Sequence, residues 1–220
     1  MFVLPSPSVV GCQRSLFDSG EPAGPAAGGR RSESPAPRVW LDPGSWIEFE
    51  SHWLAGSHSL FEHLLATVPW RAERRRMYDR MVDVPRLLCF YGEEALLPDP
   101  VMELARGVLS DHFAAELGEP LCTAGMCLYR DGSDSVAWHG DTIGRGARED
   151  TIVAIVSLGA PRGFLLRPIG GGPGLRFELG RGDLFVMGGS CQRTWQHAVP
   201  KTTRPVGPRL SVQFRPRGVR

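Results

Sequence analysis

The 220-residue sequence predicts a mainly β domain with flanking helices, its strands folded into a jelly-roll sandwich or barrel. Two observations predict it. Beyond residue 120 the chain breaks into short segments of alternating or β-branched character, divided by Gly and Pro turns, with no helical stretch between them. Before residue 120 lie two amphipathic stretches at helical spacing, which would buttress the outside of the β structure.

Residues 1–38 are rich in Pro, Gly, Ala and Ser, as in Glu21-Pro22-Ala23-Gly24-Pro25-Ala26-Ala27-Gly28-Gly29. They carry too little apolar area to offset the entropy of ordering and read as a mobile tail ahead of one domain over 39–220. Leu60, Phe61, Leu64, Leu65 and Val68 follow Ser57, a candidate N-cap, so a helix is expected over 58–67, ended by Pro69. Asp99 as cap, Pro100 in the first turn, the stripe Val101, Leu104, Ala105, Val108, Leu109, Phe113 and Leu117, and Gly118 as stop predict a second helix. Strands are expected at about 124–130, 136–141, 151–158, 163–167, 175–179, 183–187, 193–198 and 209–215. Helical support would thus occupy 39–120 and the β core 121–217.

A formal net charge of +1 excludes a globally basic nucleic-acid-binding body. Any such contact must come from local patches, made almost wholly of arginine because Lys201 is the only lysine. The longest apolar runs, such as Thr151 to Ala160, are far shorter than a bilayer span, so a soluble protein without a membrane partner is expected. Five cysteines, Cys12, Cys89, Cys122, Cys127 and Cys191, are an odd number without CxxC spacing. That argues against a disulfide framework or a zinc ribbon and for a reducing, cytoplasmic setting.

Trp138-His139-Gly140-Asp141 and, further on, Trp195-Gln196-His197 are the residues best suited to chemistry. Residues two apart on a strand share a face, so His139 and Asp141 can grip one metal ion while Trp138 and Gly140 face away, with His197 as the third ligand. Two His and one carboxylate on one face of an octahedron leave the opposite positions open, the geometry of non-heme Fe(II) oxygenases. Structural zinc instead takes four closed ligands rich in Cys, and no Cys motif accompanies this triad. Trp195 shares the His197 face of a regular strand and is expected to wall the metal pocket. His52, His58, His63 and His112 lie in the helical parts without a carboxylate at metal spacing and are not expected as ligands. Asp183, within Gly180-Arg181-Gly182-Asp183, suits a turn or cap.

The last strand alternates without a break, placing Arg209, Ser211, Gln213 and Arg215 on one face and Leu210, Val212 and Phe214 on the other. Two readings are open. The polar face is solvated, as on any half-exposed strand, or its two guanidiniums point into a concave β structure and require carboxylates such as those of a dicarboxylate cosubstrate.

His139-x-Asp141, Trp195-x-His197 and Arg209-x-Ser211-x-x-x-Arg215 follow Pro85-Arg86 through Tyr91-Gly92 and Cys127-Leu128-Tyr129-Arg130-Asp131-Gly132. In that order, over about residues 70–217, they resemble the AlkB-type Fe(II)/2-oxoglutarate-dependent dioxygenases, which remove alkyl lesions from nucleic acid bases. The resemblance implies a double-stranded β-helix core with a nucleotide-recognition lid in 39–120, Fe(II) on His139, Asp141 and His197, and 2-oxoglutarate on Tyr129, Arg209, Ser211 and Arg215. Two positions depart from the family pattern: Cys127 and Ser211 stand where Asn is usual, and Ser keeps one donor for a carboxylate. Ile143 occupies the position of an Asp that some members direct at the damaged base.

What the resemblance implies in function is oxidative demethylation of 1-methyladenine- and 3-methylcytosine-type lesions in DNA, with RNA also open. The reaction would consume O2 and 2-oxoglutarate, release succinate, CO2 and formaldehyde, and be carried out by a monomer. A base flipped from its stack needs an aromatic surface. Trp70, Tyr78, Phe90 and Tyr91, with Arg86 and the His139 imidazole, are the candidates, Tyr78 foremost because it follows Arg71, Arg74, Arg75 and Arg76. For Phe90, core packing is the favoured of the two readings. Two alternatives stay open: the same iron chemistry on RNA, protein or a small molecule, and a non-catalytic metal-binding jelly roll.

Overall fold

The computed structural model describes residues 37–77 and 79–219. The stretch read as a tail lies outside them except for Pro37 and Arg38, and Arg38 is anchored. Its Nε donates to Glu48 at 2.8 Å, its Nη2 donates to Glu116 at 2.9 Å, and the guanidinium lies 3.6 Å over the Trp46 ring.

Twelve strands and four helices are described: β1 (Val39–Asp42), β2 (Ser45–Glu50), α1 (Ser57–Thr67), β3 (Arg71–Met77), β4 (Arg80–Tyr91), α2 (Pro100–His112), α3 (Ala114–Leu117) and β5 (Thr123–Tyr129) come first. β6 (Val136–His139), β7 (Thr151–Gly159), β8 (Arg162–Pro168), β9 (Leu175–Leu179), β10 (Asp183–Gly189), α4 (Cys191–Thr194), β11 (Trp195–Val199) and β12 (Arg209–Arg215) follow. They form an antiparallel eight-stranded sheet, β1-β2-β10-β7-β12-β5-β4-β3, and a four-stranded sheet, β6-β11-β8-β9. This is the expected jelly roll. All eight expected strands are present, but the expected 136–141 stops at His139, and the expected 193–198 opens with the turn of α4.

Region 39–120 carries helices where they are expected, α1 and then α2 with α3, but four of its segments are strands not anticipated from the sequence. The β1–β2 hairpin turns at Asp42-Pro43-Gly44, where Asp42 Oδ1 accepts the N–H groups of Gly44 at 2.9 Å and Ser45 at 2.8 Å. The β3–β4 hairpin is hidden in sequence by its charges and by Pro85. Pro85 falls where the register slips between the pairs Ala72–Leu87 and Arg74–Asp83, so its missing N–H costs no ladder bond. As the sheet edge, β3 can carry Arg71, Arg74 and Arg76 into solvent.

Alternation on β7 builds both layers of the core. Ile152, Ala154, Val156 and Leu158 face the helices with Leu64, Met102 and Leu109, whereas Val153 and Ile155 face the small sheet with Phe164 and Phe185. The same parity on β12 sends Leu210, Val212 and Phe214 into the helix-side layer. It turns Arg209, Ser211 and Gln213 between the sheets, where they are buried. The polar face of the last strand is therefore enclosed and not solvated, which settles the choice left open by the sequence.

In α2, Asp99 Oδ1 accepts the Val101 N–H at 2.8 Å as expected, and Gly118 ends α3 in the left-handed region at φ 65°. The buried stripe is narrower than predicted, since Val101 and Leu104 are exposed. Ser57 does not cap α1. Gly56 holds that position without a side-chain bond, and the Ser57 hydroxyl donates to the Arg181 carbonyl instead.

His112, at the end of α2, sits with Nε2 3.8 Å from Glu48 Oε2. The Glu48 carboxylate raises its pKa above the ordinary 6.5, burial opposing. A raised pKa in the folded state means that this contact stabilises fully below pH 6.5 and fades as pH rises through the folded value. His112→Gln is expected to lower Tm more at pH 6 than at pH 8.5; equal decrements in thermal melts would refute the pairing. Among the described residues, Cys89, Cys122, Cys127 and Cys191 are unpaired thiols, and no helix is long and apolar enough to cross a membrane.

Candidate active site

A cleft of about 830 Å³ opens between the two sheets, with the cleft-facing residues of β12, β5 and β4 on one wall and β6, β8 and β11 on the other. Antiparallel pairing of β6 with β11 sets His139 opposite His197, with ring centroids 4.2 Å apart. Asp141 joins them from the loop after β6, not from the strand itself. The chain makes that turn because Gly140 has no side chain: a Cβ there would lie 2.2 Å from the Gln192 carbonyl oxygen. Gln192 Oε1 then accepts the Asp141 N–H at 2.9 Å.

The ligand atoms of His139, Asp141 and His197 lie within 4.8 Å of one another, the only such group among the described residues. Their hydrogen bonds prepare them for a cation. His139 Nδ1 lies 2.8 Å from the Ala137 carbonyl, and as donor there it leaves the Nε2 lone pair free. Asp141 Oδ2 accepts from Arg215 Nε at 2.8 Å and Nη2 at 2.7 Å, leaving Oδ1 3.8 Å from His139 Nε2. Burial works to raise the Asp141 pKa, but Arg215 and the two imidazoles outweigh it and hold the carboxyl at about 2. Burial, with His139 adding to it, pushes His197 down to about 3. At neutral pH the carboxylate is ionised and the His197 imidazole neutral, the states in which both bind a metal.

Arg209 lies deeper in the same cleft, 1% exposed. Its Nε donates to Ser157 Oγ at 2.7 Å, while Nη1 and Nη2 are buried without a partner. A buried guanidinium with two orphaned nitrogens calls for an anion, and a carboxylate matches that fork. Tyr129, paired with Arg209 across β5 and β12, is buried beside it, and burial raises its phenol pKa, so the hydroxyl stays a neutral donor. A dicarboxylate would fit these residues, Arg209 and Tyr129 being the donors that would hold one of its carboxylates. Arg215, also expected to hold the cosubstrate, lines the cleft and is paired with Asp141.

The substrate-side expectations fare less evenly. Arg86 does line the cleft, with Nη1 3.2 Å from the Ser135 carbonyl and Nε buried without a partner. Tyr91 reaches the cleft but packs with Leu87 and Cys89 against the helix-side core. Trp70 packs against the same core and does not line the cleft. Tyr78 lies outside the described residues. Phe90, read as core, is instead 49% exposed at the cleft, on the face of β4 that carries Arg86 and Leu88. The parity of β4 was the available signal: Arg86 and Phe90 are an even number of residues apart and Tyr91 is not. Ile143, 66% exposed, stands across from them on the loop after Asp141. Trp195 is no wall of the cleft: its indole packs in the inter-sheet core and donates to Asp42 Oδ2 at 2.8 Å. Asp183 has the expected cap role, accepting from the N–H groups of His52 at 2.9 Å and Gly180 at 3.0 Å.

Residues 97–215 match the family model of the 2OG-Fe(II) oxygenase superfamily. Alpha-ketoglutarate-dependent dioxygenase alkB homolog 3 of Bos taurus is 31% identical over 201 residues, covering 81% of this chain and 65% of the relative. The Homo sapiens protein of the same name is 30% identical over 197 residues, with the same coverage. DNA oxidative demethylase ALKBH2 of Arabidopsis thaliana is 23% identical over 215 residues, 77% of this chain and 63% of the relative. The chain thus spans a little under two thirds of the length of the relatives it matches. The family match covers strands β5 to β12, which carry the triad and the orphaned guanidinium, and the family is one that uses Fe(II) and 2-oxoglutarate. This chain belongs to the 2OG-Fe(II) oxygenase superfamily, as one of its AlkB-type members.

Proposed function

We propose that the protein is a dioxygenase that demethylates N-alkylated bases in DNA, of the 1-methyladenine and 3-methylcytosine type, using Fe(II), O2 and 2-oxoglutarate. Succinate, CO2 and formaldehyde are the other products. The observation that carries this reading is the pairing, in one cleft, of a His-Asp-His triad with a buried, unsatisfied guanidinium. The names of the relatives, a dioxygenase and a DNA oxidative demethylase, support the substrate class.

Iron with its cosubstrate and O2 supplies the power to hydroxylate an N-methyl C–H, after which the hemiaminal expels formaldehyde. What this chain supplies is placement. His139, Asp141 and His197 would hold the metal, and Arg215 keeps Asp141 charged. Arg209 and Tyr129 fix the distal carboxylate of the cosubstrate. Phe90 and Ile143 present apolar surface at the mouth to a base that has left its stack, at a cost of a few kcal/mol that is smallest for a lesion that cannot pair. Arg71 at the cleft, with Arg74 and Arg76 on the exposed β3 edge beside Asp83 and Asp79, would meet backbone phosphates.

The test is mass spectrometry of DNA and RNA oligonucleotides carrying 1-methyladenine or 3-methylcytosine, incubated with protein, Fe(II), 2-oxoglutarate and O2, with succinate quantified. Loss of the methyl group from DNA, absent with His139→Ala, is the expected result. Succinate without demethylation of either polymer would overturn the substrate. Phe90→Ala is expected to raise KM for the oligonucleotide about 10-fold or more, by loss of one stacking platform, with KM for 2-oxoglutarate unchanged. An unaltered oligonucleotide KM would remove Phe90 from the substrate surface.

A further inference from the structure

Two positions at which the AlkB-type pattern carries Asn hold Cys127 and Ser211 in this chain, which leaves that wall of the cleft short of amide donors. An amide reaches it from a third position. Gln213 stands two residues beyond Ser211 on β12, lines the cleft and is 9% exposed. Its Nε2 donates to Ser211 Oγ at 2.6 Å and to the Ser211 carbonyl at 2.9 Å, and the Cys127 thiol lies 3.9 Å from its Oε1. Space for so long a side chain comes from the neighbouring strand. Gln213 pairs with Gly125 of β5, where a Cβ would lie 3.1 Å from Gln213 Oε1 and 2.7 Å from Arg215 Nη1.

A serine hydroxyl has one proton to give and can rotate to suit its neighbours. Once its oxygen accepts the Gln213 N–H, that proton cannot be aimed at Gln213 and is left to point into the cleft, where an anion would accept it. Without the amide, the hydroxyl is free to turn away, and its orientation must be restored each time the anion binds. We propose that Gln213 is a positioning residue for the cosubstrate: its carboxamide fixes the Ser211 hydroxyl as a donor to 2-oxoglutarate, so that Ser211 and Gln213 together stand in for the Asn of the family pattern. Gly125 is the small residue that makes the arrangement possible. This inference rests on the assignment of the cleft to 2-oxoglutarate.

Anaerobic titration of 2-oxoglutarate into Fe(II)-loaded protein, followed by the charge-transfer absorption of the complex, tests it without turnover. Gln213→Ala is expected to weaken binding about 10-fold, the scale of one hydrogen bond to a charged group, with iron content unchanged. Ser211→Ala should do the same, and the double variant should be no weaker than either single one, because the amide acts through the hydroxyl. Gln213→Glu, which draws the Ser211 proton to itself and adds a like charge, should bind more weakly than Gln213→Ala. In a Ser211→Asn background, Gln213→Ala should change the Kd by less than about 2-fold, since the amide then comes from position 211 itself. Wild-type binding that Gln213→Ala matches, or losses that multiply in the double variant, would overturn this proposal alone. Absence of 2-oxoglutarate binding by the wild type would overturn the cleft assignment and the proposal with it.

Discussion

Asp141→Ala is expected to eliminate iron binding and succinate formation, a larger loss than the ~10–100-fold that follows removal of a hydrogen bond to a metal ligand. The same substitution is expected to cost the metal-free fold about 3–5 kcal/mol, because the Arg215 guanidinium, only 12% exposed, would lose the carboxylate that answers it. His139→Ala separates the two effects. That imidazole is 38% exposed and bonds to the Ala137 carbonyl, so its removal should abolish iron binding while leaving the apo-protein nearly as stable. Asp141→Ala combined with Arg215→Met should recover the stability but not the iron, since an apolar side chain can occupy a site from which both charges are gone. Urea unfolding of the four proteins and metal analysis after reconstitution measure both quantities. If Asp141→Ala unfolds like the wild type, the Arg215 contact carries no weight in the fold; if it retains iron, the triad is not the metal site.

Much of this site was legible because strand parity converts sequence spacing directly into direction. His139, His197, Tyr129, Arg209 and Arg215 lie on strands whose period-2 pattern survives in the sequence, and each reaches the cleft or its edge as the pattern required. Asp141 was reached for a partly wrong reason: the ladder ends at His139, and a glycine-permitted turn brings the carboxylate in. Burial of the β12 polar face could not be read from alternation alone, since a solvated strand alternates in the same way. Only the second sheet decides it. The first half of the domain was least legible. β3 and β4 are charged and β4 is interrupted by Pro85, and β3 is the sheet edge, where side chains need not follow the apolar code of a buried strand. The substrate wall inherits that difficulty: Tyr91 and Phe90 are adjacent, and without knowing that they lie on a strand nothing says which of them turns outward.

Arg209→Met is expected to make the apo-protein more stable and the enzyme inactive, an opposition that a merely structural arginine would not produce. Burial works against the charge of Arg209, whose Nη1 and Nη2 have no partner and whose guanidinium carbon lies 5.3 Å from the Tyr129 ring centroid. Removing a buried, incompletely answered charge in favour of a side chain of similar length is neutral or stabilising in known cases. The bond lost by Ser157 Oγ offsets part of the gain, leaving a net effect on the order of 1 kcal/mol, or about 2–4 °C in Tm for a chain of this size. Two charge-assisted bonds from the fork to a carboxylate are worth roughly 1.5–3 kcal/mol each, so 2-oxoglutarate affinity should fall by about 100-fold or more. The two effects meet in one experiment. Without cosubstrate the variant melts above the wild type; with Fe(II) and 2-oxoglutarate at about 100 times the wild-type Kd, under anaerobic conditions, the wild type gains roughly 2.7 kcal/mol and the order reverses. A variant that is already less stable without ligand would make Arg209 a structural residue, and curves that never cross would leave its guanidinium without the anion that its burial demands.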